Sequence, residues 1–275
     1  MLSRSVGPAV KRLVLWSVPV AVLLAAVLVY LRARAAARGS EVCAGAPLLP
    51  DPDTLTVRPS SFRILVFTRH TGYTHRSIPA AVAALHQLGA QHGFTVLATE
   101  DPRFFTDSVL RAFAAVVFLN TTGSILEGQQ KTAFERYIRS GGGFVGIHGA
   151  LDSESRWAWY HRLAGAGFLS HPPIQRARLI VSSPDSSEWS QPWERTDEWY
   201  DYPELPESVV VVVSVDETSY RGGKMGRMHP VTWYHAFEDG RAWYTAMGHT
   251  TCSYSEPRFL EHLLAGIRYA ASAAR

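Results

Sequence analysis

The chain has 275 residues, of which 47% are hydrophobic and 11% aromatic, so it can bury a sizeable core as one large domain or two small ones. Its formal net charge is only +3, and no basic stripe with interleaved aromatic residues is visible, which excludes nucleic acid as an expected partner. The cysteines, Cys43 and Cys252, form no C-x-x-C pair and indicate no thiolate zinc site. A disulfide between them is an alternative that spacing alone does not decide.

An uncharged apolar segment, 13–31, is the first element of the chain. As a helix it would span about 28 Å, close to the thickness of the hydrocarbon core of a bilayer. The run is long for a signal peptide, and arginines follow it where a cleavage site would lie, so an uncleaved transmembrane helix is favoured over a cleaved signal. We expect a short tail over 1–12, a single-pass membrane protein with its soluble domain outside the cytoplasm, and a linker over 32–61.

Strands and helices alternate from Phe62 onward. Continuous apolar runs indicate strands that are buried on both faces, and segments with helical spacing separate them. Such alternation predicts a parallel sheet with right-handed crossovers. The predicted strands are 62–68, 94–100, 114–120 and 143–149, and the predicted helices are 77–93, 106–113, a segment from Leu126 to the glycines at 141–143, and 156–165.

The second half of the chain is richer in strands. "EDGR" at 238–241 carries an Asp-Gly hairpin signal between the last two of them. Pro257 opens a final helix. The sequence as a whole predicts an α/β domain over 62–275 with a mostly parallel sheet flanked by helices. The later strands are predicted at 176–182, 208–216, 231–237 and 241–248, and the last helix at 257–274.

Several separated blocks, in order, resemble the ThuA-like (trehalose utilisation) family from about Phe62 to Tyr269. They are "FTRHTGYTHRSIP", "VVFLNTTG", "GGGFVGIHGALD", "WAWYHRLAGAGFLSHP", "DEWYDY", "HPVTW", "GRAWYTAMGHT" and "HLLAGIRYA". The resemblance implies a flavodoxin-like fold similar to class I glutamine amidotransferases. It also implies that His148 replaces the catalytic cysteine of those enzymes, which excludes amide hydrolysis by a cysteine there. The family is associated with disaccharides such as trehalose and their 3-keto forms.

Two positions depart from the pattern of this family. Many relatives carry Asp-His-Pro where this chain has Ser182–Pro184, and an acidic residue where it has Met228. These departures favour a non-catalytic sugar-binding or scaffold domain as the alternative to an enzyme.

Polar motifs follow the first, third and fourth predicted strands, and ligands of open α/β sheets bind beyond the carboxyl ends of the strands. His148 lies between Gly146 and Gly149 at such an end, which favours a catalytic imidazole over a core histidine bonded to backbone. Asp152 either orients this imidazole, acts as an acid, or caps the following helix.

The segment "DEWYDY" places carboxylates beside aromatic rings, a combination that suits sugars. Strand alternation would send Asp197 and Glu198 to opposite faces, and the family resemblance favours Glu198 as the catalytic carboxylate. Trp199 is then a substrate-binding candidate. The alternative is an ordinary aromatic-rich strand or loop.

Further candidates for substrate binding come from loops. His75 could instead cap a helix near Ser77, and the two His-Pro steps could be structural. The substrate-binding candidates from these loops are Tyr73, His75, His171, His229 and His249.

No metal site is assigned, because the eleven histidines include no H-x-x-x-H pair. Ligands could still converge from separate loops, for instance His75, His148, His249 and Glu198, so a divalent metal stays open. No G-x-G-x-x-G motif follows a strand, which argues against a nicotinamide enzyme.

Two functions follow from these observations. The first is an enzyme that acts on a carbohydrate or keto-sugar by acid/base chemistry, as an isomerase or a hydrolase. The second is a non-catalytic sugar-binding or scaffold domain displayed on the membrane. The expected partners are a small carbohydrate and, through the N-terminal helix, a membrane.

Overall fold

The computed structural model describes residues 61–182, 192–203, 205–227 and 229–272. Within these residues, nine strands and five α-helices are present. The strands are β1 (Phe62–Phe67), β2 (Phe94–Thr99), β3 (Ala115–Leu119), β4 (Gly143–Ile147), β5 (Gln175–Val181), β6 (Trp193–Asp197), β7 (Val210–Val215), β8 (Pro230–Phe237) and β9 (Gly240–Thr245). The helices are α1 (Ile78–His92), α2 (Asp107–Leu110), α3 (Gly128–Arg139), α4 (Ala158–Ala164) and α5 (Pro257–Ala271).

All nine strands join one sheet in the order β2-β1-β3-β4-β9-β8-β7-β5-β6. The first five strands in this order are parallel to one another, an arrangement that flavodoxin-like domains share. The residues of β1, β3 and β4 are almost all buried, because helices cover both faces of a parallel sheet.

The other four strand pairs are antiparallel, so the prediction of a mostly parallel sheet is wrong and the sheet is mixed. The physical reason is local. Within the described residues no α-helix lies between β5 and β9, and the connections of this half return the chain in the opposite direction instead of crossing the sheet. One of these connections is the hairpin predicted at 238–241, which joins β8 to β9.

Glycine at the start of β4 lets the last helix approach the sheet closely. A Cβ at Gly143 would lie 2.3 Å from the carbonyl oxygen of Ala270 on α5. Any other residue would therefore push α5 away from β4, whose far end carries His148.

The prediction of a membrane-anchored, extracytoplasmic protein is corrected here. None of the helices in the described residues is long and apolar enough to cross a membrane. The segment 13–31, on which the prediction was based, lies outside those residues, as do the predicted tail and all of the predicted linker except Ser61. The division of the chain at 12, 31 and 61 stays a prediction.

Cys252 lies in the 3₁₀ turn Thr251–Ser255 and is disulfide-bonded, so the described residues hold no free thiol. Cys43, the other cysteine of the sequence, lies outside the described residues.

Candidate active site

The chain turns sharply where β4 ends. His148 follows Ile147 with a φ of +46°, in the left-handed region that residues other than glycine rarely adopt. Such a conformation costs roughly 1–3 kcal/mol and persists only where surrounding contacts hold it. Here the Tyr244 hydroxyl donates a hydrogen bond to the His148 carbonyl oxygen at 2.8 Å. This hydrogen bond holds the strained backbone in place, and the turn that results places the His148 side chain at the carboxyl end of the parallel strands.

The imidazole of His148 is fully buried and has a fixed orientation. Its Nδ1 lies 2.7 Å from the carbonyl oxygen of Ala246. Because a carbonyl oxygen only accepts, Nδ1 carries a proton, and in the neutral ring Nε2 presents a lone pair. Nε2 lies 3.0 Å from His249 Nδ1 and 3.4 Å from Glu198 Oε2.

Glu198 places its carboxylate among three imidazoles. Oε2 lies 3.1 Å from His249 Nδ1, and Oε1 lies 3.1 Å from His171 Nδ1. Burial by itself raises the pKa of this carboxyl, but hydrogen bonds and charge from His148 and His249 outweigh it and hold the pKa below its usual value. Glu198 is therefore an ionised carboxylate in a buried site.

Asp197 holds the loop that carries His249. Its carboxylate accepts hydrogen bonds from the backbone N–H groups of Gly248 at 2.8 Å and His249 at 3.0 Å. Arg195 Nη2 lies 3.1 Å from Asp197 Oδ2, and both side chains are buried. These contacts link the end of β6 to the loop that follows β9. Sequence reasoning named Asp197 only as the neighbour of Glu198, because its partners lie some fifty positions away.

His75 is buried beside the same cluster. Neither ring nitrogen makes a hydrogen bond of ordinary geometry to a described residue. Burial, followed by the neighbouring His148 and His249, lowers the pKa of His75 from 6.5 to about 2, so the ring is neutral. A Cβ at Gly149 would lie 2.8 Å from His75 Cε1, so the glycine after His148 makes room for this ring.

The open side of the cluster is lined by more exposed groups. The ring of Tyr73 is 59% exposed and lies roughly parallel to that of His249, with 6.2 Å between centroids. Asp152 is half-buried at the end of the 3₁₀ turn that begins at His148. Burial raises the pKa of Asp152, although His148 and His171 act to lower it.

The sequence matches the family described as "ThuA: Trehalose utilisation" over residues 63–270, which is most of its length. The chain belongs to the ThuA family. The match spans all of the strands and helices described above except the first residue of β1 and the last residue of α5. No curated protein matches this chain.

Solved structures of ThuA-like proteins share the fold. One from Bacteroides uniformis is 20% identical, with a TM-score of 0.63, and the alignment covers 82% of this chain and 95% of that one. Another, from Parabacteroides merdae, is 17% identical, with a TM-score of 0.64 and coverage of 78% and 91%. A protein of Salmonella typhimurium described as cytoplasmic is 10% identical, with a TM-score of 0.55 and coverage of 75% and 98%. These identities show the fold alone.

The ThuA-family fold brings most of the predicted site residues together. The alternative roles of His75 and Asp152 as helix caps are not found. The residue before α1 is Ser77 and the residue before α4 is Trp157, and neither helix has a side-chain capping hydrogen bond. The predicted site residues that lie together are His75, His148, Glu198 and His249, with Tyr73, Asp152 and His171 beside them.

Two predicted residues lie elsewhere. Trp199 is fully buried, and its Nε1 donates to the Gln175 carbonyl oxygen at 3.0 Å, so it packs in the core. His229 is buried with Nε2 2.9 Å from the carbonyl oxygen of Tyr200. Tyr200 is the aromatic residue of this segment that contacts the site, with its ring centroid 4.3 Å from that of His148.

Two groups of side chains have the composition of a metal site within the described residues. Asp201, Glu217 and His229 form one, but backbone N–H groups of Met225 and Gly226 already occupy both Glu217 oxygens at 2.8 Å. This group therefore serves to hold a loop. The other group is His75, His148, Glu198 and His249, whose donor atoms all lie within 4.8 Å of one another.

Proposed function

We propose that this ThuA-family protein is an enzyme that acts on a carbohydrate or keto-sugar by acid/base chemistry at the carboxyl ends of the parallel strands. The observation that carries the proposal is the buried carboxylate of Glu198, which lies 3.4 Å from His148 Nε2 and 3.1 Å from His249 Nδ1. The pKa of Glu198 is lowered by its imidazole partners, and that of Asp152 is raised by burial. Opposed shifts of this kind assign a base and an acid.

Glu198 and the imidazole of His148 form the floor of the site, and Asp152 lies near its edge. An ionised carboxylate or a neutral imidazole removes a proton from a sugar carbon next to a carbonyl group, and the electron pair moves onto the carbonyl oxygen. A protonated Asp152 then gives a proton to the neighbouring carbon in an isomerisation, or to the departing oxygen in an elimination, in which the bond between that oxygen and its carbon breaks. Isomerisation or elimination of a keto-sugar requires these two transfers.

The carbohydrate class is supported by the family description, which refers to trehalose utilisation. The exposed ring of Tyr73 beside His249 offers an apolar face on which the axial hydrogens of a sugar can pack. The carboxylates of Glu198 and Asp152 accept hydrogen bonds from sugar hydroxyls.

Thermal unfolding in the presence of trehalose, its 3-keto form and a non-sugar control tests the carbohydrate class, because a ligand stabilises the folded state that it binds. We expect the melting temperature to rise with a sugar and the rise to shrink in Tyr73→Ala. Val210→Ala, which removes an exposed apolar side chain of β7, is the matched control and should keep the full rise. Equal shifts in all three proteins, or none with any sugar, would contradict the proposal.

A further inference from the structure

We infer that His75, His148, His249 and Glu198 together bind one divalent transition-metal ion of the zinc class. Their donor atoms are already spaced as ligands of one ion. With metal–ligand bonds near 2.0–2.1 Å, neighbouring donors of a tetrahedral site lie about 3.4 Å apart. Here His148 Nε2 lies 3.0 Å from His249 Nδ1, and Glu198 Oε2 lies 3.4 and 3.1 Å from these two nitrogens.

The groups around the cluster point the lone pairs inward. The Ala246 carbonyl oxygen accepts a hydrogen bond from the protonated Nδ1 of His148, which leaves the lone pair of Nε2 to coordinate. His171 lies against Glu198 Oε1 and so leaves Oε2 to face the other ligands. Asp197 fixes the backbone of His249. Metal-binding histidines and carboxylates are held in this way by a second layer of hydrogen bonds.

His75 supplies an independent observation. A proton shared by His148, His249 and Glu198 would account for the contacts among those three, but it leaves both ring nitrogens of His75 without a hydrogen bond of ordinary geometry. Burying an unpaired polar group is costly, and native proteins rarely tolerate it without a function. A metal ion among the four side chains would give one nitrogen of His75 a bond.

The donor set indicates the class of ion. Three imidazole nitrogens and one carboxylate oxygen suit Zn²⁺ and related first-row ions, whereas Mg²⁺ and Ca²⁺ prefer oxygen ligands. The inference deepens the proposed function and rests on it for the role of the ion, which would bind a substrate oxygen and stabilise the negative charge that proton removal creates there. Glu198 and His148 would then be ligands and no longer bases, so Asp152, outside the four ligands, would both remove the proton from the substrate and return it.

Metal uptake by the full-length protein, produced without a histidine tag and stripped with a chelator, tests this inference. We expect titration calorimetry with Zn²⁺ to show about one equivalent bound, and Co²⁺ to give the visible absorption of a four-coordinate nitrogen/oxygen site. Glu198→Gln and His75→Gln should each weaken binding by about 100-fold or more, beyond the loss typical of second-layer changes. His86→Gln, which removes an exposed histidine of α1, is the matched control and should bind as the wild type does.

Three outcomes would overturn the inference: no stoichiometric uptake, a Co²⁺ spectrum of a hexa-aquo ion, or equal affinities in His75→Gln and His86→Gln. If one variant fails to fold, the wild-type spectrum and the other variant still decide. Metal uptake is measured without sugar, so its failure is distinguishable from failure of the proposed function. Sugar binding without any metal uptake would refute the metal site alone, and metal uptake without sugar binding would refute the carbohydrate alone.

Discussion

His148 combines a strained backbone with an imidazole that points one nitrogen into the site. Its φ of +46° and the bond from Nδ1 to Ala246 are both fixed by contacts with the strand β9 and the residue after it. A histidine that served only to fill the core would not need its free nitrogen within 3.4 Å of a carboxylate. These contacts support the proposal that His148 has a chemical role, either in proton transfer or through a bound ion.

Replacing His148 with glutamine tests this role. Glutamine keeps hydrogen-bonding capacity and approximate size but neither titrates near neutral pH nor presents an imidazole nitrogen. We expect His148→Gln to fold and to lower turnover of the sugar substrate by about 10²–10⁴-fold, the usual contribution of a positioned acid or base. Initial rates measure the turnover, and circular dichroism checks that the variant is folded. Normal turnover in a folded variant would make His148 a framework residue.

The site residues could be identified from sequence where they directly follow a strand. His148 directly follows β4, His249 lies in the loop after β9, and Glu198 belongs to "DEWYDY", where carboxylates stand beside aromatic residues. The core position of Trp199 could not be predicted, because its partner is the backbone of Gln175 on β5, a pairing that local sequence does not encode. The same is true of Asp197 and its bonds to the loop after β9.

At the scale of elements, Asp197 links β6 to the loop after β9 through a buried ion pair with Arg195. Asp197→Asn leaves the buried Arg195 charge with Glu256, at 3.5 Å, as its remaining acidic partner among the described residues. We expect a loss of about 3 kcal/mol in the free energy of unfolding, the lower end of the range for breaking a buried pair. Urea denaturation measures this loss. Asp107→Asn removes half of the exposed pair with Arg136 and should change stability little; similar losses in both variants would contradict the account.

The packing of α5 on the sheet makes stability depend on pH through His262. This side chain is buried, with Nε2 3.1 Å from Thr232 Oγ1, and burial and the nearby Arg195 lower its pKa from 6.5 to about 3. Below pH 6.5 the unfolded chain binds a proton that the folded protein excludes. The free energy of unfolding therefore falls as pH falls, by about 1.4 kcal/mol per pH unit for this group.

Comparison of wild type with His262→Gln isolates this effect, since other titrating groups are common to both proteins. We expect the difference in unfolding free energy between them to narrow between pH 6 and pH 4, as measured by urea denaturation. His86→Gln, in which an exposed histidine is lost, should follow the wild type at every pH. Parallel curves for wild type and His262→Gln would show that His262 is not buried in its neutral form.

At the scale of the whole molecule, the parallel half of the sheet could be predicted because its strands are continuous buried runs such as that of β1. The antiparallel half could not be ordered from sequence. β6 reads "WERTD", with alternating buried and exposed positions and three charged residues, and it was not predicted as a strand. β5 pairs with both β6 and β7, and such long-range pairing depends on contacts that no local pattern specifies.

Incorporation of solvent deuterium into a keto-sugar tests the central claim, acid/base chemistry at this site, most directly. When the carbon that lost its proton is reprotonated in D₂O it acquires deuterium, which NMR detects in the recovered keto-sugar and in an isomerised product. We predict that the wild type and Glu207→Gln, in which an exposed carboxylate is lost, exchange 3-ketotrehalose at equal rates, and that Glu198→Gln is slower by about 10²–10⁴-fold. Binding of the keto-sugar without any exchange by the wild type would contradict the account and make the protein a sugar-binding domain.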